Sequence, residues 1–356
     1  HQAARSAWGL GRSPILKFRE ALKDTLRLML LDCFQQLLKI NQRFPRERGE
    51  RQRVLRLYGG DGSPAARMGT TSRWWKRDED GRVACGLCFR GCRITDGAAG
   101  ACGVRLNHGG TLLSPWLGRF CARAVDPVEK KPLAHWRPGS LIYSLGSLGC
   151  TMDCPFCQNW RIARPAKSVY DASASVPFLP PEALAREVRG LGLDALALTY
   201  NEPTLQAEYL LAAAPLLRKA GVAAVLVTNG AMSEEAARDL LPWVSAANVD
   251  LKAFTPEGYR RLGGDLEAVK RTIALWVRGG VHVELTHLAV PGLDDGMAAF
   301  AEMVGWIASL SRDIPLHITR CFPARHHDAP PTSRALLRRM EDAALAELAH
   351  VHLGNV

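Results

Sequence analysis

Three cysteines within eight residues constrain this chain more than any other feature. Cys150, Cys154 and Cys157 follow the spacing C-x3-C-x2-C in the segment CTMDCPFC. Iron–sulfur clusters are held by cysteine thiolates, and close spacing lets one loop wrap a single cluster. A [4Fe–4S] cluster has four irons, so three thiolates leave one iron open, and an open metal position is where a substrate or cofactor binds. Phe156, directly before the last cysteine, can shield one face of such a cluster.

The same spacing is compatible with part of a zinc site or with an electron-transfer cluster. A preceding predicted strand and the aromatic residue favour the open cluster instead. With its pattern C-x3-C-x-aromatic-C, the segment resembles the radical S-adenosylmethionine (SAM) superfamily. The resemblance implies that SAM chelates the open iron. It also implies that one electron cleaves SAM to methionine and a 5′-deoxyadenosyl radical, so that the cofactor carries the hard chemistry.

Length and cysteine usage narrow the class of protein. The chain has 356 residues, enough for one large α/β domain and a smaller module. No apolar run reaches the ~18 residues of a membrane span, and the first residues lack the apolar core of a secretory signal. Seven of the ten cysteines fall in two clusters typical of metal sites. These features predict a cytoplasmic enzyme in a reducing compartment.

The N-terminal part of the chain differs from the rest. The net charge is +11, and residues 1–67 hold 14 Lys and Arg against 6 Asp and Glu, a net of +8. An amphipathic pattern over 15–40 precedes a basic run at 43–53. We predict that residues 1–67 are a basic, amphipathic extension outside the catalytic unit, and a partner- or RNA-binding arm is the alternative. Loss of activity in a chain that starts at Met68 would contradict the prediction.

A second cysteine cluster precedes the first. Four cysteines follow the pattern C-x2-C-x3-C-x9-C, and they are Cys85, Cys88, Cys92 and Cys102. Four thiolates at this spacing can complete a closed tetrahedral site. Zinc and a second iron–sulfur cluster both remain compatible with the pattern. Residues 68–139 are therefore predicted to form a small Cys-rich metal-binding module with a linker to the next domain.

Three segments sharpen the resemblance. Together, residues 82–88, 126–132 and 149–159 resemble the radical SAM enzyme of the AmmeMemoRadiSam system, a relative of the pyruvate formate-lyase activating enzymes. The resemblance covers about residues 72–356. It implies an electron donor of the flavodoxin or ferredoxin type and a small-molecule or protein substrate. The lack of a long apolar run and the small net charge outside residues 1–67 predict no membrane or nucleic-acid partner. The proline-restricted linker at 126–139 is predicted to pack over the site, with a solvated linker as the alternative.

Strand and helix patterns alternate from residue 141 onward. The predicted strands are 141–145, 195–199, 223–228, 247–251, 281–290, 316–322 and 350–353. The predicted helices are 181–191, 205–220, 234–244, 266–277, 296–310 and 333–348. Such alternation implies βαβ units and a parallel sheet. Residues 140–356 are therefore predicted to form a partial TIM-like (β/α)6 radical SAM barrel.

Functional residues of such barrels lie at the C-terminal ends of the strands. By the resemblance, residues 199–204 replace a glycine-rich Gly-Gly-Glu segment that holds the SAM amino group, and Glu202 is retained. A helix-capping turn is the alternative for that segment, and an ion pair is the alternative for Asp250 with Lys252. The predicted SAM-binding residues are Phe156, Glu202, Thr228, Asn229, Asp250 and Lys252.

The sequence thus predicts a radical SAM enzyme that abstracts hydrogen from an unidentified substrate. A glycyl-radical-enzyme activase, with a protein substrate, is one alternative. The second cysteine cluster precedes the radical SAM motif, whereas extra clusters of those activases usually follow it. An RNA-modifying enzyme is the other alternative, and it depends on the basic N-terminal extension.

Overall fold

The computed structural model describes residues 72–164, 176–293 and 296–356, so the prediction for residues 1–67 lies outside the described residues. The strands are β1 Trp75–Arg77, β2 Val83–Cys85, β3 Arg93–Ile94, β4 Leu106–His108, β5 Thr111–Leu113, β6 Ala122–Pro127, β7 Leu141–Gly146, β8 Ala195–Leu198, β9 Ala223–Thr228, β10 Ala246–Asp250, β11 His282–Ala289, β12 Leu316–Arg320 and β13 Val351–Gly354. The helices are α1 Trp160–Ala163, α2 Pro181–Gly190, α3 Ala207–Lys219, α4 Glu234–Leu240, α5 Pro256–Arg261, α6 Leu266–Arg278, α7 Met297–Leu310 and α8 Arg334–Leu345. No described helix is long and apolar enough to cross a membrane.

One large sheet dominates the described part of the chain. Its strand order is β13-β12-β11-β10-β9-β8-β7-β6. Strands β7 to β13 are parallel and pair with their neighbours in sequence, and a helix lies between each consecutive pair. The buried strands are rich in Ala, Val and Leu because helices cover parallel sheets. This arrangement confirms the predicted α/β fold, a partial TIM-like barrel.

The Cys-rich segment forms two small antiparallel sheets. Strands β1, β2 and β3 make one sheet, and the hairpin of β4 and β5 makes the other. Cys85 ends β2, and its backbone N–H donates to the carbonyl of Cys92 at 2.9 Å. This hydrogen bond between Cys85 and Cys92 closes the turn that contains Cys88.

Most predicted boundaries agree with the structure to within one or two residues. The helix predicted at 333–348 ends three residues early, at Leu345. The helix predicted at 205–220 begins at Ala207, after a 3-10 turn over Pro203–Gln206. The helix predicted at 234–244 ends at Leu240, because Pro242 has no N–H to continue the hydrogen-bond ladder. Strand β6 was not predicted, since its sequence ARAVDP lacks the period-two alternation of a strand.

The linker at 126–139 lies at the N-terminal ends of the barrel strands, so the predicted packing over the site is wrong. Strand β6 runs antiparallel to β7 and brings the chain back to the start of that strand. Val128 and Leu133 are fully buried among residues near the starts of the barrel strands. Asn248 donates to the Pro132 carbonyl at 2.8 Å. The linker therefore closes the end of the barrel opposite the cysteine loop.

A buried carboxylate fixes this closure. Glu284 in β11 accepts hydrogen bonds from the backbone N–H groups of Ala134 at 2.9 Å and His135 at 2.8 Å. The Nε2 atoms of His282 and His317 contact its two oxygens at 2.9 and 2.7 Å. Burial opposes ionisation, but these hydrogen bonds hold the pKa of Glu284 well below its usual range. Glu284 is therefore an ionised group that joins the linker to strands β11 and β12.

A second buried group in β11 predicts a pH-dependent stability. The Nδ1 atom of His287 contacts the Leu251 carbonyl at 3.0 Å, so Nδ1 carries the proton. Its Nε2 atom is buried without a hydrogen-bond partner among the described residues. Burial lowers the pKa of His287 to about 4 from 6.5. Because the unfolded chain binds this proton more tightly, the stabilisation is complete above pH 6.5 and is lost as the pH falls toward 4.

We expect the free energy of unfolding to fall by about 3 kcal/mol from this group between pH 7 and pH 4. His287→Asn keeps a donor for Leu251 and removes the titration, so its pH profile should be flatter. Urea unfolding of both proteins across this range measures the difference. Parallel profiles for the two proteins would contradict the assignment.

Candidate functional site

The predicted site residues lie on loops at one edge of the sheet. The cysteine loop follows β7, and Glu202 follows β8. Thr228 ends β9 and Asp250 ends β10, with Asn229 and Lys252 just beyond them. Because β7 to β10 are parallel, their C-terminal ends share one edge. The structure therefore brings together residues that are up to 102 positions apart in the chain.

The cysteine loop begins at a residue that must be glycine. Gly149 has a φ of +89°, a conformation that side chains disfavour. A Cβ atom there would lie 2.8 Å from the Cys102 carbonyl oxygen and 2.9 Å from side-chain atoms of Val104 and Leu205. The cysteine loop therefore packs directly on the turn that carries Cys102.

Three arginines hold the backbone of this loop. The Nε atom of Arg90, from the Cys-rich module, donates to the Thr151 carbonyl at 2.6 Å. Arg164 donates to the Met152 carbonyl. Arg325, which follows β12, donates to the Cys154 carbonyl at 2.9 Å. Since none of these carbonyls belongs to a helix or strand, the arginines determine the path of the loop.

The same arginines reach other parts of the structure. A second nitrogen of Arg90 donates to the Gly263 carbonyl at 2.6 Å. Arg164 donates to the Ala101 carbonyl at 2.8 Å. Arg164 and Arg325 both pair with Asp153, at 3.1 and 2.6 Å. The loop is thus joined to the module and to two other barrel loops.

The surroundings of the three cysteines fit thiolate ligands. Burial raises the pKa of Cys150 and Cys157, and it raises that of Cys154 to about 11, so the free thiols are protonated. Metal binding deprotonates such thiols. The Met152 N–H and the Asn229 side-chain amide already point at the Cys150 sulfur, at 3.4 and 3.7 Å. Donors and three sulfurs on one loop are what a [4Fe–4S] cluster requires.

Glu202 is the most deeply buried of the predicted SAM-binding residues. Its side chain has no exposed area. Oε1 accepts from the Thr204 N–H at 2.9 Å, the Thr204 hydroxyl at 2.5 Å and the Thr228 hydroxyl at 2.7 Å. Oε2 accepts from the Asn229 N–H at 2.9 Å. Burial raises its pKa, although these donors act in the opposite direction. The glutamate therefore joins the loops after β8 and β9.

Asn229 connects that pair of loops to the cysteines. Its side-chain amide donates to the Thr151 hydroxyl at 2.9 Å, and its Oδ1 accepts from the Ala231 N–H at 3.0 Å. The next residue, Gly230, has a φ of +68° and donates its N–H to the Thr228 hydroxyl at 3.0 Å. Thr228 and Asn229 are therefore held in one orientation beside the cysteine loop.

Asp250 and Lys252 form an ion pair with an N–O distance of 2.7 Å. The side chains are 32% and 16% exposed, so the pair borders the site without being sealed off. Burial alone would lower the pKa of Lys252, but the Asp250 carboxylate outweighs it and raises that pKa. The resulting positive charge favours the thiolates of Cys154 and Cys157. The ion pair between Asp250 and Lys252, which the sequence analysis gave as the alternative to SAM binding, is therefore present.

Phe156 is buried under the loop after β12. Its ring meets the ring of His327 edge-on, with centroids 6.3 Å apart. The backbone N–H of His326 donates to the Pro155 carbonyl at 2.9 Å. The aromatic residue thus packs against protein on at least one side, and this contact orients the segment between Cys154 and Cys157.

The four cysteines of the module line a single pocket. Other residues of its wall include Arg90, Arg105 and Leu205, and the cysteines are Cys85, Cys88, Cys92 and Cys102. Within residues 72–164, 176–293 and 296–356, no three His, Cys, Asp or Glu side chains are arranged around one common metal position. Four thiols around one pocket suit either a zinc ion or a cluster, in which each thiolate binds a different iron.

Several residues of the site were missed from the sequence. Arg90, Arg164 and Arg325 bind the cysteine loop, but they lie 61, 12 and 171 positions from the carbonyl groups they contact. Arg90 stands inside the second cysteine motif, which was its only signal. Arg325 has a φ of +56°, a backbone strain that the sequence does not reveal.

Comparisons with known proteins identify a family and a relative. The family model of the radical SAM superfamily matches residues 145–304. An uncharacterized protein of Methanocaldococcus jannaschii is 32% identical over 288 residues, which cover 80% of this chain and 84% of that protein.

The search of solved structures found matches that include the following two. A domain of pyruvate-formate lyase-activating enzyme from Bacteroides vulgatus has 13% identity and a TM-score of 0.40, and the match covers 45% of this chain and 98% of that domain. A radical SAM methyltransferase from Sphaerobacter thermophilus has 18% identity and a TM-score of 0.42, and the match covers 61% of this chain and 67% of that one.

Proposed function

The chain belongs to the radical SAM superfamily, and from that premise we propose that it abstracts a hydrogen atom from a small-molecule or protein substrate. The proposal depends on one observation. Cys150, Cys154 and Cys157 lie beside polar loop residues at one edge of the sheet. When bound, a [4Fe–4S] cluster and SAM supply the chemistry: one electron breaks a sulfur–carbon bond of SAM, releasing methionine and the radical that takes the hydrogen atom.

The residues of the chain would hold and orient these groups. The three cysteines bind three irons, and Phe156 covers one side of their loop. Glu202 accepts two hydrogen bonds from Thr204 and one each from Thr228 and Asn229. Of these four, only the bond from Asn229 is accepted by Oε2. That oxygen can accept a further hydrogen bond, and because Glu202 has no exposed area, its contact with the SAM amino group would require the neighbouring loops to shift.

The polar residues after β9 and β10 would bind the rest of SAM. Lys252 is a fixed positive charge, suited to the SAM carboxylate, and Asp250 accepts hydrogen bonds from ribose hydroxyls. Thr228 and Asn229 are oriented by Glu202 and contribute further polar contacts. Since Lys252 also pairs with Asp250, binding of a carboxylate there would form a three-charge network.

A finer assignment follows from the sequence motifs. We propose membership of the AmmeMemoRadiSam system, supported by residues 82–88, 126–132 and 149–159. An electron donor of the flavodoxin or ferredoxin type would reduce the cluster in the cytoplasm. We further propose that Cys85, Cys88, Cys92 and Cys102 hold zinc or a second iron–sulfur cluster, supported by their shared pocket.

The test uses anaerobically purified, cluster-reconstituted protein. With dithionite and SAM we expect 5′-deoxyadenosine, detected by mass spectrometry, from protein that holds about four irons at the first site. Zinc and iron are counted in the same sample. Protein with an intact cluster and bound SAM that forms no 5′-deoxyadenosine would contradict the proposed function.

A further inference from the structure

A buried arginine stands beside the four cysteines of the module with donors that have no acceptor. The side chain of Arg105 is 1% exposed. Its Nη2 atom donates to both oxygens of Glu208, at 2.7 Å each. Its Nε and Nη1 atoms are buried and have no hydrogen-bond partner among the described residues. A guanidinium cannot lose its proton in a protein, so three N–H bonds are left unpaired in the interior.

Unpaired buried donors are costly, so this arrangement needs a reason. Leaving a buried polar group without a partner costs about 1–3 kcal/mol, and more when the group is charged. Glu208 balances the charge of Arg105 but occupies only one of its three nitrogens. The remaining nitrogens therefore indicate a missing acceptor rather than a missing counter-ion.

The pocket beside Arg105 identifies the kind of acceptor. Arg105 lines this pocket together with all four cysteines of the module, so the arginine and the cysteines border one space. A neutral thiol is a weak acceptor. A thiolate bound to a metal is an anion, and hydrogen bonds to charged groups are roughly twice as strong as neutral ones.

We propose that Arg105 donates its unpaired N–H groups to metal-bound thiolates of the centre formed by Cys85, Cys88, Cys92 and Cys102, and that it is the positioning residue of this centre. The inference rests on the second metal site proposed above. The shared chemistry is a centre held by four thiolates, and the metal is either zinc or the irons of a cluster. Arg105 acts through the thiolates and does not itself bind metal.

The neighbouring contacts explain how the arginine is aimed at the pocket. The Arg105 carbonyl accepts from the Gly100 N–H at 2.8 Å, which closes the turn that carries Cys102. Glu208 lies in the first turn of α3, and it also accepts from the Arg73 N–H at 2.9 Å. The arginine is therefore held between the cysteine turn, through its carbonyl, and a barrel helix, through Nη2.

Two single substitutions separate the donor role from the ion pair. Arg105→Lys keeps a positive charge for Glu208 but removes the planar fork, so Nε and Nη1 have no equivalent. Glu208→Gln removes the ion pair and leaves both of these nitrogens in place. Loss of a hydrogen bond to a metal ligand typically weakens metal binding about 10–100-fold. We expect that loss in Arg105→Lys and a smaller one in Glu208→Gln.

The measurement is metal retention by the full-length protein. Zinc and iron per chain are counted after equilibration with a graded series of chelator concentrations, and Cys102→Ser identifies the metal that belongs to this site. Zinc that is lost in Cys102→Ser identifies a zinc centre, and about four additional irons lost in that variant identify a cluster. With cobalt in place of zinc, the thiolate-to-metal absorption bands of Arg105→Lys should shift from those of the wild type.

Each outcome bears on a different statement. Equal metal retention by Arg105→Lys and the wild type overturns the role of Arg105. If Arg105→Lys and Glu208→Gln lose metal to the same extent, Arg105 acts only as the ion-pair partner of Glu208, and its proposed donor role is also overturned. If Cys102→Ser retains as much zinc and iron as the wild type, the proposal of a second metal site is overturned. Formation of 5′-deoxyadenosine is measured separately, so the radical function is tested independently of the second metal site.

Discussion

Replacing Cys150 with alanine is expected to abolish SAM cleavage, lowering the rate by about 1,000-fold or more, because the cofactor carries the chemistry. The substitution removes one of three thiolates on the loop. It also removes the acceptor for the Met152 N–H and the Asn229 amide. The loss should therefore extend to the iron content of the reconstituted protein and not only to its activity.

The measurement compares 5′-deoxyadenosine formation, bound iron and the EPR signal of the reduced cluster. Cys321→Ala is the matched control, since Cys321 is a buried thiol outside both cysteine clusters. This control should retain iron and activity. A Cys150→Ala protein that loses its iron yet still cleaves SAM would show that the loop is not the radical-forming site.

Replacing Glu202 with alanine should have the second largest effect. The carboxylate has no exposed area and accepts four hydrogen bonds, from two groups of Thr204 and one each of Thr228 and Asn229. Its removal leaves buried donors unpaired, at about 1–3 kcal/mol each, although the hydroxyls can rotate to other acceptors. We expect a loss of about 3–5 kcal/mol in the free energy of unfolding.

The same substitution should weaken SAM binding and cleavage. Thr228 and Asn229 would lose the group that orients them, and Asn229 would no longer be held against Thr151 and Cys150. We expect a decrease in cleavage rate of about 100-fold, which is the usual size when a positioning contact is lost. Denaturant unfolding and SAM titration of the same samples measure the two effects.

Glu202→Gln distinguishes support of the loops from direct contact with SAM. The amide oxygen can still accept from Thr204 and Thr228, but its NH2 group then faces the Asn229 N–H. Stability should fall by about 1–2 kcal/mol, less than in the alanine variant. Weaker SAM binding out of proportion to this loss would indicate direct contact with the SAM amino group. A Glu202→Ala protein as stable as the wild type would contradict the structural role.

Much of the barrel could be predicted because its signals are local. Strand β9 was predicted with its observed bounds, since an apolar run between turn residues identifies a buried strand. Helix α6 was predicted to within one residue, with Asp265 capping its first turn at 2.7 Å. The strand-end positions of Glu202, Thr228 and Asp250 then followed from the rule for parallel sheets.

The sequence by itself determined the two cysteine motifs, the order of strands and helices and the edge of the sheet that carries the polar residues. These features depend on spacing and periodicity within short segments. The tertiary structure alone decided that the linker closes the opposite end of the barrel, that Arg90 and Arg325 hold the cysteine loop, and that Arg105 faces the second cysteine cluster. Such contacts join residues far apart in the chain, and a charged side chain has no periodicity that indicates its partner. Only the folded packing, which buries those charges and requires acceptors for them, determines which partners they meet.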